Sequence, residues 1–224
     1  MLNHLVQHAV GGCRVDRPVR AGWARVYVAE RYNPHVAVAE DREIVAARDL
    51  VAAYADVYAI DSDCAVPVED IASSYLGLLV RDAALEDGVS GELRIREREI
   101  RVNAAEGARW PRRRRFTIAH EVGHWVLHRD DIADLVVTRT IEHVPRDAAK
   151  ATTPEELRER EANRFAAELL MPEERVHAAV AADGAEVVAL AGRFDVSALS
   201  MAWRLYNFGY VRRRPRRADF DGVD

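Results

Sequence analysis

Five residues carry the strongest chemical signal in this sequence: His120-Glu121-Val122-Gly123-His124. The two histidines are four apart, so on a helix they share a face with Cβ atoms about 5–6 Å apart. Imidazoles at that spacing can converge on one metal ion, with Zn–N bonds of about 2.0–2.1 Å. Glu121 is one step round the helix from His120 and can reach a metal-activated water rather than the metal itself. Such a water has its pKa drawn down to about 7, and a nearby carboxylate can take its proton. The pattern reads as a hydrolase site with Glu121 as general base.

A pattern this short also arises by chance, so its surroundings decide. Phe116, Ile118, Ala119, Val122, Trp125, Val126 and Leu127 make the flanks apolar around most of the helix, and a helix apolar all round is a buried one. Two histidines and a glutamate in a buried helix need partners, which a metal supplies. Gly123 disfavours a mid-helix position by roughly 1 kcal/mol relative to alanine, which close packing against it would explain. His128 lies a further turn along the same face. Three histidines at i, i+4 and i+8 form a row and cannot close around one tetrahedral ion. His128 is therefore read as a helix C-terminal histidine favoured by the dipole.

A catalytic zinc takes three protein ligands and keeps one position open. The best source of the third is the stretch from Glu159 to Leu170. Glu159 and Asn163 share a face, so Glu159 could bind the metal while Asn163 bonds a ligand histidine or the carboxylate. Ala162, Ala166 and Ala167 would let this helix approach the first closely. Glu161 points about 160° away from Glu159 on a helix of 3.6 residues per turn, so only one of them can be the ligand. Either could instead be a solvated carboxylate; Asn163 favours Glu159. Zinc is the expected ion, and a two-histidine, one-carboxylate set would also accept manganese or iron.

Two packed helices must hold these groups. Pro111 opens one that runs to about His128. Thr153 can cap the other, with Pro154 in its first position and Glu156 closing a capping box, and Pro172 stops it after Leu170. Helical spacing of apolar residues predicts a further helix between Glu40 and Ile60, and another from Ala65 to Leu76 ended by Gly77. Leu78 to Val80 reads as a strand. Leu93, Ile95, Ile100 and Val102 alternate with arginines and read as a β-hairpin. Three short helices are expected near 173–182, 185–193 and 198–208. Trp23 to Ala29 could be a strand. The fold class expected is α+β, with a small sheet or hairpin packed on the histidine-bearing helix.

Bulk properties narrow the setting. The 224 residues suit one compact domain, or one with a small appendage. With 49% apolar and 31% charged residues the chain reads as globular and soluble. A net charge of −5 argues against a chain-wide nucleic-acid binder. Cys13 and Cys64 form no Cys-x-x-Cys pair, so neither a disulfide framework nor a cysteine zinc cage is expected. No signal peptide and no transmembrane run is recognisable. A cytoplasmic protein without a membrane partner is the expectation.

The segment Arg115-Phe116-Thr117-Ile118-Ala119-His120-Glu121-Val122-Gly123-His124, with Leu127-His128 after it, resembles the ImmA/IrrE family of metallopeptidases. So does the run from Glu159 through Ala162-Asn163 and Phe165-Ala166-Ala167 to Leu169-Leu170-Met171-Pro172, and so does Ile100-Arg101-Val102-Asn103 ahead of the first helix. The resemblance covers roughly residues 45 to 210. It implies a zincin-type peptidase fold, a small sheet plus helices with the metal between two of them. It implies zinc held by His120, His124 and Glu159, with Glu121 as general base. It also implies a helix-turn-helix repressor protein as the substrate, whose cleavage releases silenced genes of a mobile element or a stress response. The organisation expected is an N-terminal extension over 1–40, a metallopeptidase domain over 41–182, a helix-turn-helix-like segment over 183–210 and a mobile basic tail over 211–224.

Other features have two readings each. Arg112 to Arg115 oppose the dipole at the start of their helix; they are read as a basic face with local carboxylate partners in preference to a docking surface. Leu190 to Ser197, continuing through Trp203-Arg204-Leu205, resembles a helix-turn-helix and could touch DNA together with the basic tail. Packing of that pair onto the peptidase is the preferred reading. The alternative for the whole chain is a regulator that binds DNA or a repressor and keeps its metal for structure. The hairpin could lend an edge to an extended substrate. His143 and Tyr206 are weak candidates for stabilising an oxyanion.

Overall fold

The computed structural model describes residues 8–10, 13–15, 41–58, 65–131, 135–139 and 153–220. The strand expected over Trp23 to Ala29 lies outside these, as does His143. Of the expected extension over 1–40, the described part is an antiparallel pair of β1 (His8–Val10) and β2 (Cys13–Val15).

Two long helices form the centre. The first, α4 (Pro111–His128), starts on Pro111, whose missing N–H is no loss in a first turn. The second, α5 (Pro154–Leu170), carries the full capping box: Thr153 Oγ1 accepts from Glu156 N, and the Glu156 carboxylate accepts from Thr153 N. The chain leaves the helix through Met171 and Pro172. These helices pack on each other more extensively than any other pair of described elements. Gly123 is the reason they can approach so closely. A Cβ there would lie 3.1 Å from Phe165 Cδ1 and 3.2 Å from both Cα and O of Ala162.

α1 (Arg42–Ala55) lies against α5 and α4 and buries Ala46, Ala47, Leu50 and Tyr54. The helix expected from Ala65 to Leu76 is shorter and irregular. It begins as α2 (Val68–Asp70) and widens into a π-helix over Ile71–Tyr75, where Leu76 N bonds Ile71 O. Gly77 ends it in the left-handed region at φ 68°.

A four-stranded sheet covers one side of α4, in the order β3 (Leu79–Ala83), β5 (Glu99–Asn103), β4 (Val89–Arg94), β6 (Leu135–Arg139). β3 runs parallel to β5, while β4 is antiparallel to both β5 and β6. The hairpin of β4 and β5 is therefore interior to the sheet. Its two outer edges already pair with β6 and β3, so it has no edge to lend a substrate. α4 contacts β4 and β5 directly, and Leu93, Ile100 and Val102 reach the core beside Phe116, Ile118 and Val122.

The hairpin leads into a helix that periodicity did not reveal, α3 (Ala104–Arg109). Asn103 caps it by accepting from the backbone N–H of Ala105 and Glu106. Six residues with one Gly and one apolar-face turn are too short for a helical period to register.

The C-terminal part comprises α6 (Glu173–Asp183), α7 (Val187–Phe194) and α8 (Ala198–Asn207). The turn between α7 and α8 passes through Asp195 at φ 52°. α8 buries Ala198 to Trp203 and Leu205, and Arg204 donates to Met171 O and Glu168. This part of the chain therefore packs onto the peptidase helices. The basic tail makes contacts over its described part. Pro215 is buried, Arg214 lies over the Trp203 ring at 5.4 Å, and Val211 and Phe220 pack on the core. Arg112 to Arg115 all have carboxylate partners: Asp195 for Arg112 and Arg115, Glu106 for Arg113, Glu69 and Asp82 for Arg114.

Candidate metal centre

The centre lies where α4 and α5 face each other. His120 and His124 project from successive turns of α4, both with at most 2% of their surface exposed. Glu159 reaches across from α5. Its Oε2 is 3.3 Å from His120 Nε2 and its Oε1 is 3.1 Å from His124 Nε2. The two Nε2 atoms are 2.9 Å apart. These three groups offer one ligand atom each within 4.8 Å of one another.

The donor set fits a tetrahedral ion. Ligand atoms about 2.0–2.1 Å from a zinc at tetrahedral angles are themselves about 3.3 Å apart, close to the 2.9–3.3 Å observed. Tautomers point the same way. Asn163 Oδ1 lies 3.1 Å from His120 Nδ1, so Nδ1–H donates to it and the Nε2 lone pair faces the cluster. Two nitrogen lone pairs and a carboxylate meeting at that range repel unless a proton or a cation lies among them.

The ionisation preferences express the same demand. Burial pushes the His124 imidazole down to about 4, and the neighbouring His120 and His128 oppose its charging further, against the pull of Glu159. Burial also works against a charged His120. There the hydrogen bond to Glu159, the nearby Glu121 charge and the Asn163 bond outweigh it and raise the pKa. Burial alone would raise Glu159, but the hydrogen bonds from His120 and His124 hold it far below the usual carboxylate range. The cluster thus favours a single positive charge against an ionised Glu159, and a proton and a divalent ion compete for the same lone pairs.

Glu121 leans toward the sheet, still close enough to His120 for its charge to favour the protonated imidazole. Its side chain is fully buried. Its carboxylate fills the space a Cβ would take at Gly91 on β4, with Oε1 2.6 Å from that position. Thr117 Cγ2 borders the same spot, also at 2.6 Å. Gly91, which no local signal marks, therefore shapes the surroundings of the candidate base.

His128 stands outside the converging donors. It is the last residue of α4, as its reading as a helix C-terminal histidine expects, and it is buried there, 1% exposed. Its Nδ1 is 3.2 Å from His124 Nδ1 and its Nε2 is 2.8 Å from Glu161 Oε2. Glu161 also accepts from Arg42 Nη2 at 2.7 Å. Burial would raise Glu161, but the bonds from His128 and Arg42 bring it down to about 2. The two α5 carboxylates are thereby separated: Glu159 faces the Nε2 pair and Glu161 faces His128. Spacing singled out His128, four residues past His124, but not its partner Glu161. Tyr206 stacks edge-on against Trp203 at 5.6 Å on α8.

No helix among the described residues is long and apolar enough to cross a membrane. No curated protein matches the chain closely enough to count as a relative. The model of a peptidase family described as the IrrE N-terminal-like domain matches residues 74–206, a span that contains the hairpin, α4 with both histidines, and α5 with Glu159. With more than half its length matched, and the facing histidine and glutamate helices inside the match, the chain belongs to the IrrE N-terminal-like peptidase family.

Proposed function

We propose that the protein is a zinc-dependent endopeptidase in which His120, His124 and Glu159 hold the metal, Glu121 is the general base, and the substrate is a helix-turn-helix repressor met in the cytoplasm. The observation that carries the metal reading is the convergence of His120 Nε2, His124 Nε2 and the Glu159 carboxylate within hydrogen-bond range of one another. When bound, zinc supplies a Lewis acid for a scissile carbonyl and acidifies water. Manganese or iron could occupy the same donors.

The chain's own groups do the rest. Asn163 holds the His120 ring by accepting from Nδ1–H. Glu159 stays ionised because two imidazoles bond it. Glu121 takes the proton of the attacking water at a carboxylate oxygen and returns it to the leaving amine nitrogen. Its burial removes competing solvent and strengthens its charge interaction with the site. The repressor as substrate rests on the family resemblance. Direct DNA binding has less support, because α8 is buried where a recognition helix would need to be exposed.

The test is co-expression of the full chain with candidate helix-turn-helix repressors, followed by mass spectrometry of the fragments and metal analysis of the purified enzyme. A defined cut, made by the wild type and lost in Glu121→Gln, is the expected result. Wild-type cleavage by Glu121→Gln would sink the mechanism, and salt-sensitive DNA binding without any cleavage would favour a regulator instead.

A further inference from the structure

We propose that His128 and Glu161 form a positioning chain that holds His124 in the one tautomer able to bind a cation through Nε2. The inference rests on the metal-binding reading of His120, His124 and Glu159.

A neutral imidazole has one N–H and one lone pair. If His124 gives its Nε2 lone pair to a cation, its proton must sit on Nδ1. A buried N–H needs an acceptor, and His128 Nδ1 lies 3.2 Å away. That nitrogen can accept only when the His128 proton is on Nε2. There it meets Glu161 Oε2 at 2.8 Å, and an ionised carboxylate accepts and has no proton to give. Arg42 of α1 donates to the same oxygen at 2.7 Å and keeps the carboxylate charged and in place. Each link permits the proton arrangement that a cation on His124 requires. The reverse arrangement of a neutral pair would set the His128 Nε2 lone pair against the Glu161 oxygen.

The chain draws on three helices: His124 and His128 from α4, Glu161 from α5 and Arg42 from α1. His120 is held differently, by the neutral amide of Asn163. Metal-bound histidines commonly donate their second N–H to a carboxylate directly; here a second imidazole is interposed. A buried histidine satisfied for packing alone would need no carboxylate on its far side. Nor would it need to meet a cluster histidine through the nitrogen opposite the cluster.

The experiment measures zinc dissociation constants of the full chain by competition with a chromogenic chelator, and records the visible d–d spectrum after cobalt substitution. The variants are His128→Phe, Glu161→Gln and the double substitution, with His120→Ala as the control that loses a ligand. His128→Phe is expected to weaken zinc binding roughly 10–100-fold. Glu161→Gln, which keeps the shape and drops the charge, is expected to weaken it less. Both should shift the cobalt bands, which a purely structural role would not do. The double variant should lose no more than His128→Phe alone, since the residues act in series. Zinc affinities within about twofold of wild type in the folded single variants, well short of the usual loss on removing such a partner, would overturn the chain. So would additive losses. If His128→Phe fails to fold by circular dichroism, Glu161→Gln decides by itself. A wild type that binds no zinc would overturn the metal reading and this inference together, whereas a zinc-binding wild type with unaffected variants overturns the inference only.

Discussion

Gly91 on β4 and Glu121 on α4 share one volume: the Glu121 carboxylate occupies the place where a Cβ on residue 91 would lie, 2.6 Å from Oε1. The sheet thus sets how far the base can lean out of its helix. Gly91→Ala should push the carboxylate aside without touching the metal donors. A misplacement near 1 Å can lower turnover on the order of 10²-fold. Peptidase assay of Gly91→Ala should show that loss in kcat with zinc content unchanged. Full activity in this variant would mean the carboxylate position is not what limits catalysis.

Glu121→Gln should retain zinc, because Glu121 is not among the three converging donors. Removing a general base typically lowers the rate by about 10²–10⁴. Metal analysis and cleavage rate measured on the same preparation separate the two effects.

Metal binding should stabilise the fold, since the donors come from α4 and α5 and meet only when the helices are docked. At a free concentration of 100 times Kd the gain is about 2.7 kcal/mol. Thermal melts of the wild type should rise on adding zinc and return with a chelator. Glu159→Ala should show little response. A shift as large in Glu159→Ala as in the wild type would remove Glu159 from the ligand set.

Zinc affinity should fall as pH falls. A histidine must be unprotonated to ligate, and the His120 pKa lies above its ordinary value of 6.5. Affinity therefore rises with pH until His120 has lost its proton, then levels off. His124, at about 4, adds a second loss only in acid. Glu159 is ionised throughout this range and contributes no step. Dissociation constants measured from pH 5 to 9 should follow one proton per zinc on the falling limb. A flat profile would contradict the charge competition inferred for the cluster.

Gly123→Val should weaken the docking of α4 on α5. A Cβ already meets Ala162 backbone atoms at 3.2 Å, and backbone cannot step aside as a flexible side chain can. Overpacking of this kind destabilises by about 1–3 kcal/mol, more than the helix propensity gained. Denaturant unfolding should show the loss, together with weaker zinc binding as Glu159 is moved from the histidines. Unchanged stability would mean that the two helices can separate freely at this contact.

Local chemistry made much of the molecule readable in its sequence. Pro111, the Thr153–Glu156 capping box and Pro172 mark helix ends through groups one turn apart, and such signals need no tertiary information. His120, Glu121 and His124 are legible for the same reason, because helical spacing alone places them together. What tertiary structure decided involves partners distant along the chain. Glu159 and Glu161 are equivalent on spacing, and only the docking of α5 on α4 sends one to the Nε2 pair and the other to His128. The place of His128 at the end of its helix was legible, but its bond to Glu161 was not, because that partner comes from another helix. The hairpin looked like a free edge because nothing local announces that β3 and β6 flank it. Gly91 carries no local signal at all, since its meaning lies in a carboxylate thirty residues on. Sequence determined which groups could do chemistry and on which helices they ride; packing decided which of them meet, because a side chain's partner is set by where another helix lies and not by its own neighbours in the chain.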